Sequence, residues 1–449
     1  MAKSSAFAQR LEAGLEAEKV WNPHVNAVIT SMASSAREAA TAADVAASEG
    51  RWLGLLHGMT IAVKDNIDTA GTKTTMGSLF FKDNVPNRDA PVISRLRRAG
   101  AVLTQKVTMH EFAFGVRSMS SLIGQCRNPW DPTRIPGGSS GGSGVAVATG
   151  MADAALGTDT GGSVRIPAAI NGVTGLRPTS GRVPNSGCFP VSAAHDTIGP
   201  MARSALDCAR LFAVMAGYDP EDPTSRDQPL ENFLPSLDQG IRGVRIGVVR
   251  NYYFDGVPAD RGAALEEAIR KLESLGAVIT DINLPDAERI QDACAVMIYC
   301  DACDVHRERL QNPQQWSPQT IERLRLGLDW SGVDYAAAVR AKEGWMRTMA
   351  KAFDQVDIIL TPTLPIDPPP HAEDRSLWAA TKAVAQNTYN GAFAHIPGLA
   401  VPCGFSSAGF PVSMQLEAAW WKEPLLLRAA HAYQQVTDWH LRRPQLPAA

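Results

Sequence analysis

The sequence predicts an α/β fold: a mixed β-sheet with helices on both faces. Helical patterns alternate with short apolar runs along most of the chain, the order that builds layered α/β cores. The apolar runs are continuous rather than alternating, as in strands covered on both sides. With 449 residues, 45% apolar and 20% charged, the chain can bury a sizeable core at ordinary globular composition. Length alone would allow roughly three domains. One large domain over 1–449 is expected instead, in three parts: an N-terminal helical segment 1–48, a core 49–240, and a remainder 241–449 with variable insertions.

The elements can be justified in order. Residues 5–48 are Ala-rich with helical spacing, broken at Asn22-Pro23. The run Met59–Val63 reads as a buried strand that delivers Lys64 and Asp65 at its end. A helix over 89–100, stopped by Gly100, precedes the strand "AVLTQKVT". Val145–Met151 continues a glycine-rich tract as a helix. "AALGTDTGGS" is a strand running into a glycine loop, and "IPAAI" restarts a helix with Pro167 near its first turn. "GVRIGVVRNYYF" at 243–254 is a strand, followed by a helix over 261–275 and the strand "AVITDINL". Residues 287–355 are largely helical. "VDIILTPTLPIDPPP" is a buried strand leaving into a Pro-rich loop. "IPGLAVPCGFSSAGFPVSMQLEA" is a two-stranded hairpin, and 424–437 a closing helix.

Charge and cysteine content exclude several classes. A net charge of −3 leaves no electrostatic footprint for nucleic acid or an anionic membrane. The densest basic cluster, Arg95, Arg97 and Arg98, fits a solvated helix face. Seven cysteines, an odd number, are scattered through a chain whose first residues lack a secretory pattern. That argues against a disulfide framework and for a reducing, cytoplasmic setting. No run approaches the roughly 18 apolar residues of a membrane helix. Cys300 and Cys303 have C-x-x-C spacing, but no second pair or histidine follows at zinc spacing. They read as core cysteines on a helix, and neither a metal nor a cofactor is expected.

Two tracts point to a site: "PGGSSGGSGVAVATG" at 136–150 and "GTDTGGSVRIPAAING" at 157–172. Gly/Ser tracts serve as flexible linkers elsewhere, but both of these sit in apolar surroundings. A phosphate-binding P-loop needs a lysine that neither tract has, and the dinucleotide fingerprint is matched poorly. The nucleophile elbow G-x-S-x-G occurs twice, at 137–141 and 138–142, without the strand that should precede it. An α/β-hydrolase-type esterase therefore stays as an alternative. The remaining chemistry is a serine nucleophile whose base is a lysine made neutral by burial. Lys64, at the end of an apolar strand, could be that base; a surface lysine paired with Asp65 is the other reading.

These tracts, with "GMTIAVKDNIDTAG" at 58–71, "DTIGPMARS" at 196–204 and "IPGLAVPCG" at 396–404, resemble the amidase signature family of serine hydrolases. The resemblance covers most of the chain, in the family's order. It implies Ser163 as nucleophile, Ser139 as bridging serine on a cis peptide after Gly138, and Lys64 as base. Ser140 would support the network, and the backbone N–H groups of Thr160, Gly161, Gly162 and Ser163 would form the oxyanion hole. It also implies an amidase-signature-type mixed sheet, with the triad in the 49–240 core.

Some positions depart from the family's wording. "QKVTMHEF" from Gln105 stands where many members read "KTNMDEF", and His195 directly precedes Asp196. For His110 and His195, substrate contact and structural support both stay open. One family relative, the glutaminase component of the tRNA-dependent amidotransferase, holds its substrate's amino group with an acidic residue around 383–393, and that segment has none here. Residues 300–380 offer Trp316, Trp330, Trp345, Trp378, Leu324, Leu326, Leu328 and Tyr335, while Arg307, Glu308 and Arg309 read as a solvated face. The expected function is therefore hydrolysis of apolar or aryl amides, carbamates and esters through an acyl-enzyme. A glutaminase-type component of an amidotransferase complex is the alternative. The expected partner is a small-molecule amide or carbamate, with no nucleic acid and no membrane, and a homodimer stays open.

Overall fold

The computed structural model describes residues 5–372 and 376–446. Helices α1 (Ala6–Val25) and α2 (Ala33–Ser48) flank a short strand, β1 (Val28–Ser31). The break between them lies later than expected. Pro23 stays inside α1, which ends where Asn26 turns left-handed at φ 50°. Asn22 Oδ1 then accepts from the N–H groups of Ala27 and Val28 at 2.8 and 2.9 Å, fixing the exit of the chain. β1 has no sequence signal because it is four residues long and only Val28 is buried.

The remaining strands are β2 (Thr60–Lys64), β3 (Val102–Val107), the small pair β4 (Met119–Ser120) and β5 (Gly124–Gln125), β6 (Ala154–Thr158), β7 (Thr174–Arg177), β8 (Ile198–Ala202), β9 (Arg245–Val249), β10 (Val278–Ile282), β11 (Ile358–Pro362), β12 (Gly398–Phe405) and β13 (Pro411–Ala418). All but the small pair form one 11-stranded sheet in the order β1-β3-β2-β6-β8-β7-β12-β13-β11-β9-β10. β2 runs parallel to β3 and β6, and β9 runs parallel to β10 and β11. Between them, β6-β8-β7-β12-β13-β11 pair antiparallel. The sheet is mixed, as the sequence predicts.

Side chains alternate across a strand, so neighbours in sequence feed opposite faces. Ile61, Val63, Leu156, Ile358 and Leu360 join the core under α3 (Pro91–Arg98), α6 (Ala205–Met215), α7 (Ala259–Ser274) and α13 (Glu423–Gln434). Ala62 and Ala155 face the other way, towards α4 (Gly141–Thr149) and α5 (Arg165–Asn171). Small residues there let these two helices sit close. A Cβ on Gly142 would stand 2.4 Å from the Thr108 carbonyl oxygen, and one on Gly144 would stand 2.7 Å from Asn171 Nδ2. These glycines serve close packing, not linker flexibility.

A helical layer covers the rest of that face: α8 (Ala287–Val305), α9 (Pro318–Leu328), α10 (Gly332–Gln355), α11 (Leu377–Ala385) and α12 (Tyr389–Phe393). Ser331 and Asp334 form a capping box that starts α10. Cys300 and Cys303 are free thiols on α8, bonded to the Gly327 and Leu324 carbonyls of α9 at 3.6 and 2.9 Å. Among the described residues no helix is long and apolar enough to cross a membrane.

Candidate active site

Lys64 ends β2 and is fully buried. Its Nζ donates to Ser139 Oγ at 2.7 Å and to Thr158 Oγ1 at 2.6 Å. Burial brings its pKa down to about 7, although Cys188, Asp196 and Asp159 pull the other way. The surface pairing with Asp65 does not form. Asp65 turns back to the N–H and hydroxyl of Thr75 and the N–H of Gly77. A second buried lysine, Lys106, holds that same loop through the Ile67 carbonyl and the Thr69 and Thr74 hydroxyls.

Ser139 follows a cis peptide bond from Gly138. Its carbonyl accepts from the His110 N–H at 2.9 Å. Ser140 Oγ accepts from the Thr158 N–H and donates to the Thr158 carbonyl, both at 3.2 Å. The first glycine tract is thereby stitched to the end of β6, where the second tract begins. Thr158 stands inside that tract, yet nothing in the sequence marks it as the lysine's second partner.

Ser163 lies in the second tract and lines a pocket with Thr160 and Gly161. Its hydroxyl makes no hydrogen bond among the described residues, so the structure joins Lys64 to Ser139 and leaves Ser163 facing the pocket. The N–H groups of Thr160, Gly161 and Ser163 have no acceptor among the described residues, whereas the Gly162 N–H donates to Asp159 Oδ1 at 2.7 Å. Gly162 has φ +132°, and a Cβ there would stand 2.2 Å from Thr388 Oγ1, so only glycine fits.

Sequence reasoning passed over what holds this loop. Asp159 is buried and accepts from Gly162 and Val164 N–H, from Arg165 Nε at 3.1 Å and from Arg177 Nη1 at 2.9 Å. Burial alone would raise its pKa, but the two guanidiniums outweigh it and hold the carboxyl below the usual range. Asp196 accepts from Thr160 Oγ1 at 2.5 Å and from the Val191 and Ser192 N–H groups. Burial raises its pKa to about 6.

The pocket wall holds a further residue the sequence does not single out. Arg323, on α9, is 1% exposed and lines the pocket with Tyr299, Thr381 and Tyr389. Its Nη1 donates to the Tyr299 hydroxyl at 2.9 Å and to Thr381 Oγ1 at 2.6 Å. Its Nε and Nη2 have no partner, and no carboxylate among the described residues pairs with it. A buried cation without a counter-charge is expensive. The free volume between these side chains is small, about 30 Å³.

The expected apolar wall is displaced. Trp330 and Trp378 pack edge-on against Tyr299, each 5.7 Å away, behind the pocket rather than in it. Trp345 donates to the Asn390 carbonyl, and Trp316 packs among Phe80, Phe112 and His306. Leu324 is core and Leu328 is 60% exposed, while the Tyr335 hydroxyl donates to Asp301. Arg309 is not on a solvated face but over the rings of Phe81, Phe112 and Phe189. His110 and His195 are fully buried, and burial pushes both well below the usual imidazole range. Neither lines the pocket. His195 stacks between Phe393 and His395, which makes its role structural.

An α/β core that carries a buried lysine–serine pair beside a glycine loop with free N–H groups defines the class, that of the amidase signature enzymes. The chain belongs to the Amidase family, which it matches over residues 9–427. It is 40% identical over 452 residues to the glutamyl-tRNA(Gln) amidotransferase A-subunit of Roseiflexus sp. (strain RS-1), covering 95% of this chain and 92% of that one. It also superposes on the solved A-subunit of the Thermotoga maritima glutamyl-tRNA(Gln) amidotransferase with a TM-score of 0.85 at 28% identity, covering 99% and 96%. A structure described as a vestigial protein complex, bearing on the origins of an s-triazine catabolic enzyme, superposes with a TM-score of 0.91 at 32% identity, covering 98% and 96%.

These relatives overturn the expectation of an enzyme for apolar or aryl amides, carbamates and esters. Amidotransferase A-subunits match this chain at 34–40% identity over nearly its whole length. The apolar composition of residues 300–380 does not reveal that a single cation from that stretch, Arg323, lines the pocket.

Proposed function

We propose that the chain is the glutaminase-type component of an amidotransferase, hydrolysing the carboxamide of a small substrate that also carries a carboxylate, glutamine foremost. The observation that carries this reading is the buried, unpaired Arg323 guanidinium in the same pocket as Ser163. A carboxylate is its natural complement, able to take bidentate hydrogen bonds from two free N–H positions. The kinship with amidotransferase A-subunits supports glutamine as that substrate and a protein partner as the receiver of ammonia.

In this mechanism Ser163 Oγ attacks the carboxamide carbon. Its proton passes to Ser139 Oγ as the Ser139 proton passes to neutral Lys64. The N–H groups of Thr160, Gly161 and Ser163 stabilise the oxyanion, an effect worth about 10²–10³ in rate per donor. Collapse expels ammonia, protonated by Lys64 through Ser139. Water then attacks the Ser163 ester by the same relay and releases the free acid. The lysine must begin neutral, so kcat/KM should rise from acid pH with a midpoint near the Lys64 pKa of about 7 and level off above it. Below the midpoint protonation removes the base. A flat profile between pH 5 and 9 would exclude Lys64 from this role.

The substrate claim is tested with three amides of one chain length: glutamine, glutaramate and glutaramide. Ammonia release is followed with the chain alone and with its co-purified partners. Glutamine and glutaramate, which carry a carboxylate, should be hydrolysed at least about tenfold faster than glutaramide. Preference for glutaramide would falsify the carboxylate reading.

A further inference from the structure

A second cavity of about 380 Å³ lies beside the oxyanion loop and shares no lining residue with the pocket that holds Ser163. Trp420 and Trp421 form its apolar walls; Lys342, Arg226 and His395 form its polar side. Neither Lys342 nor Arg226 has an ion-pair partner among the described residues. The one acidic lining residue, Asp196, is committed elsewhere, accepting from Thr160 Oγ1 and from the Val191 and Ser192 N–H groups.

His395 adds a neutral imidazole. Ser180 Oγ accepts from Arg177 Nη2 at 3.2 Å and lies 3.0 Å from His395 Nδ1. Either partner of the Ser180–His395 contact can supply its proton, according to the imidazole tautomer. Burial, with Lys342, Arg177 and Arg226 nearby, pushes the His395 pKa down to about 3, so the ring stays neutral. His395 also holds φ +61°, a left-handed conformation uncommon outside glycine and kept only where the surroundings fix it.

We infer that this cavity is a binding site for a small oxyanion, a carboxylate or phosphate group held by Lys342 and Arg226, with its apolar or planar part against the two indoles. Two unpaired cations line the cavity against one carboxylate, Asp196, which leaves it net positive, and a concave site concentrates that potential. The cavity also touches the catalytic loop through two chains of contact. One runs from His395 through Ser180, Arg177 and Asp159 to the Gly162 N–H; the other runs from Asp196 to the Thr160 hydroxyl. An anion bound there sits next to the groups that set the oxyanion loop.

Titration calorimetry on the full chain at constant ionic strength tests this, with inorganic phosphate and succinate as probes and chloride as control. Saturable binding of phosphate or of succinate is expected, and the stronger of the two tells whether the group is a phosphate or a carboxylate. K342M/R226M should weaken it at least about tenfold, since it removes both charge-assisted contacts. K342R should keep it. Arg226 is exposed and Lys342 partly so, and a thermal melt checks that the double variant folds. No saturable heat with either probe, or equal affinity in K342M/R226M, would overturn the site. Binding is read as heat rather than turnover, so this result is separate from the glutamine reading.

Discussion

Ser163→Ala is expected to reduce ammonia release by at least about 10⁴-fold, the scale seen when a catalytic nucleophile is removed from a triad. The same variant should lose labelling by a serine-directed phosphonate. Ser139→Ala should lose about 10²–10⁴-fold in turnover, the typical contribution of a positioned proton-transfer group, while Ser163 remains labelled. The two variants separate attack from relay. Lys64 is hydrogen-bonded to Ser139, not to Ser163, and of the two serines only Ser163 has a hydroxyl free to meet a ligand. A phosphonate adduct mapped by mass spectrometry to Ser139 would reverse the assignment.

Some of this was readable in the chain for physical reasons. β2 could be read because Thr60–Lys64 is buried on both faces, which demands a continuous apolar run. The hairpin of β12 and β13 could be read because two long apolar segments flank the turn-forming "SSAG". β7 and β8 could not. "TGLR" and "IGPMA" are short, and Gly199 and Pro200 are residues that strands disfavour. Pairing with β6 and β12 imposes their conformation, and no local pattern reports pairing.

The same divide runs through the site. The glycine tracts carry their meaning in the sequence, because only glycine satisfies φ +132° and the close approach of Thr388. The charged scaffold beneath them does not. Asp159, Arg165 and Arg177 come from one stretch of chain, but Glu417, 3.5 Å from Arg165, comes from β13. Burial raises the Glu417 pKa to about 7 despite Arg165 and Arg177. Arg165 and Arg177 thus serve mainly Asp159, which in turn holds the Gly162 N–H.

Replacing Arg323 by methionine should lower kcat/KM for glutamine by about 10²–10³-fold, because removing one partner of a buried, hydrogen-bonded charge pair costs about 2–5 kcal/mol. Arg323 and Arg325 lie on the same helix, α9, yet Arg323 is buried and Arg325 exposed; the first faces the pocket only because α9 packs against α8 and α11. Stability should move the other way. The wild-type chain keeps a cation out of water with Nε and Nη2 unpartnered, and an apolar isostere removes that penalty. The Tyr299 and Thr381 hydroxyls lose a donor, at about 1 kcal/mol each, so the thermal midpoint should hold or rise slightly. Arg323→Lys keeps the charge but not the fork, and should recover part of the loss. The deciding control is an amide without a carboxylate, such as propionamide, whose slow turnover should be unchanged or improved by Arg323→Met. If both substrates fall together, Arg323 supports the wall of the pocket and does not read the substrate.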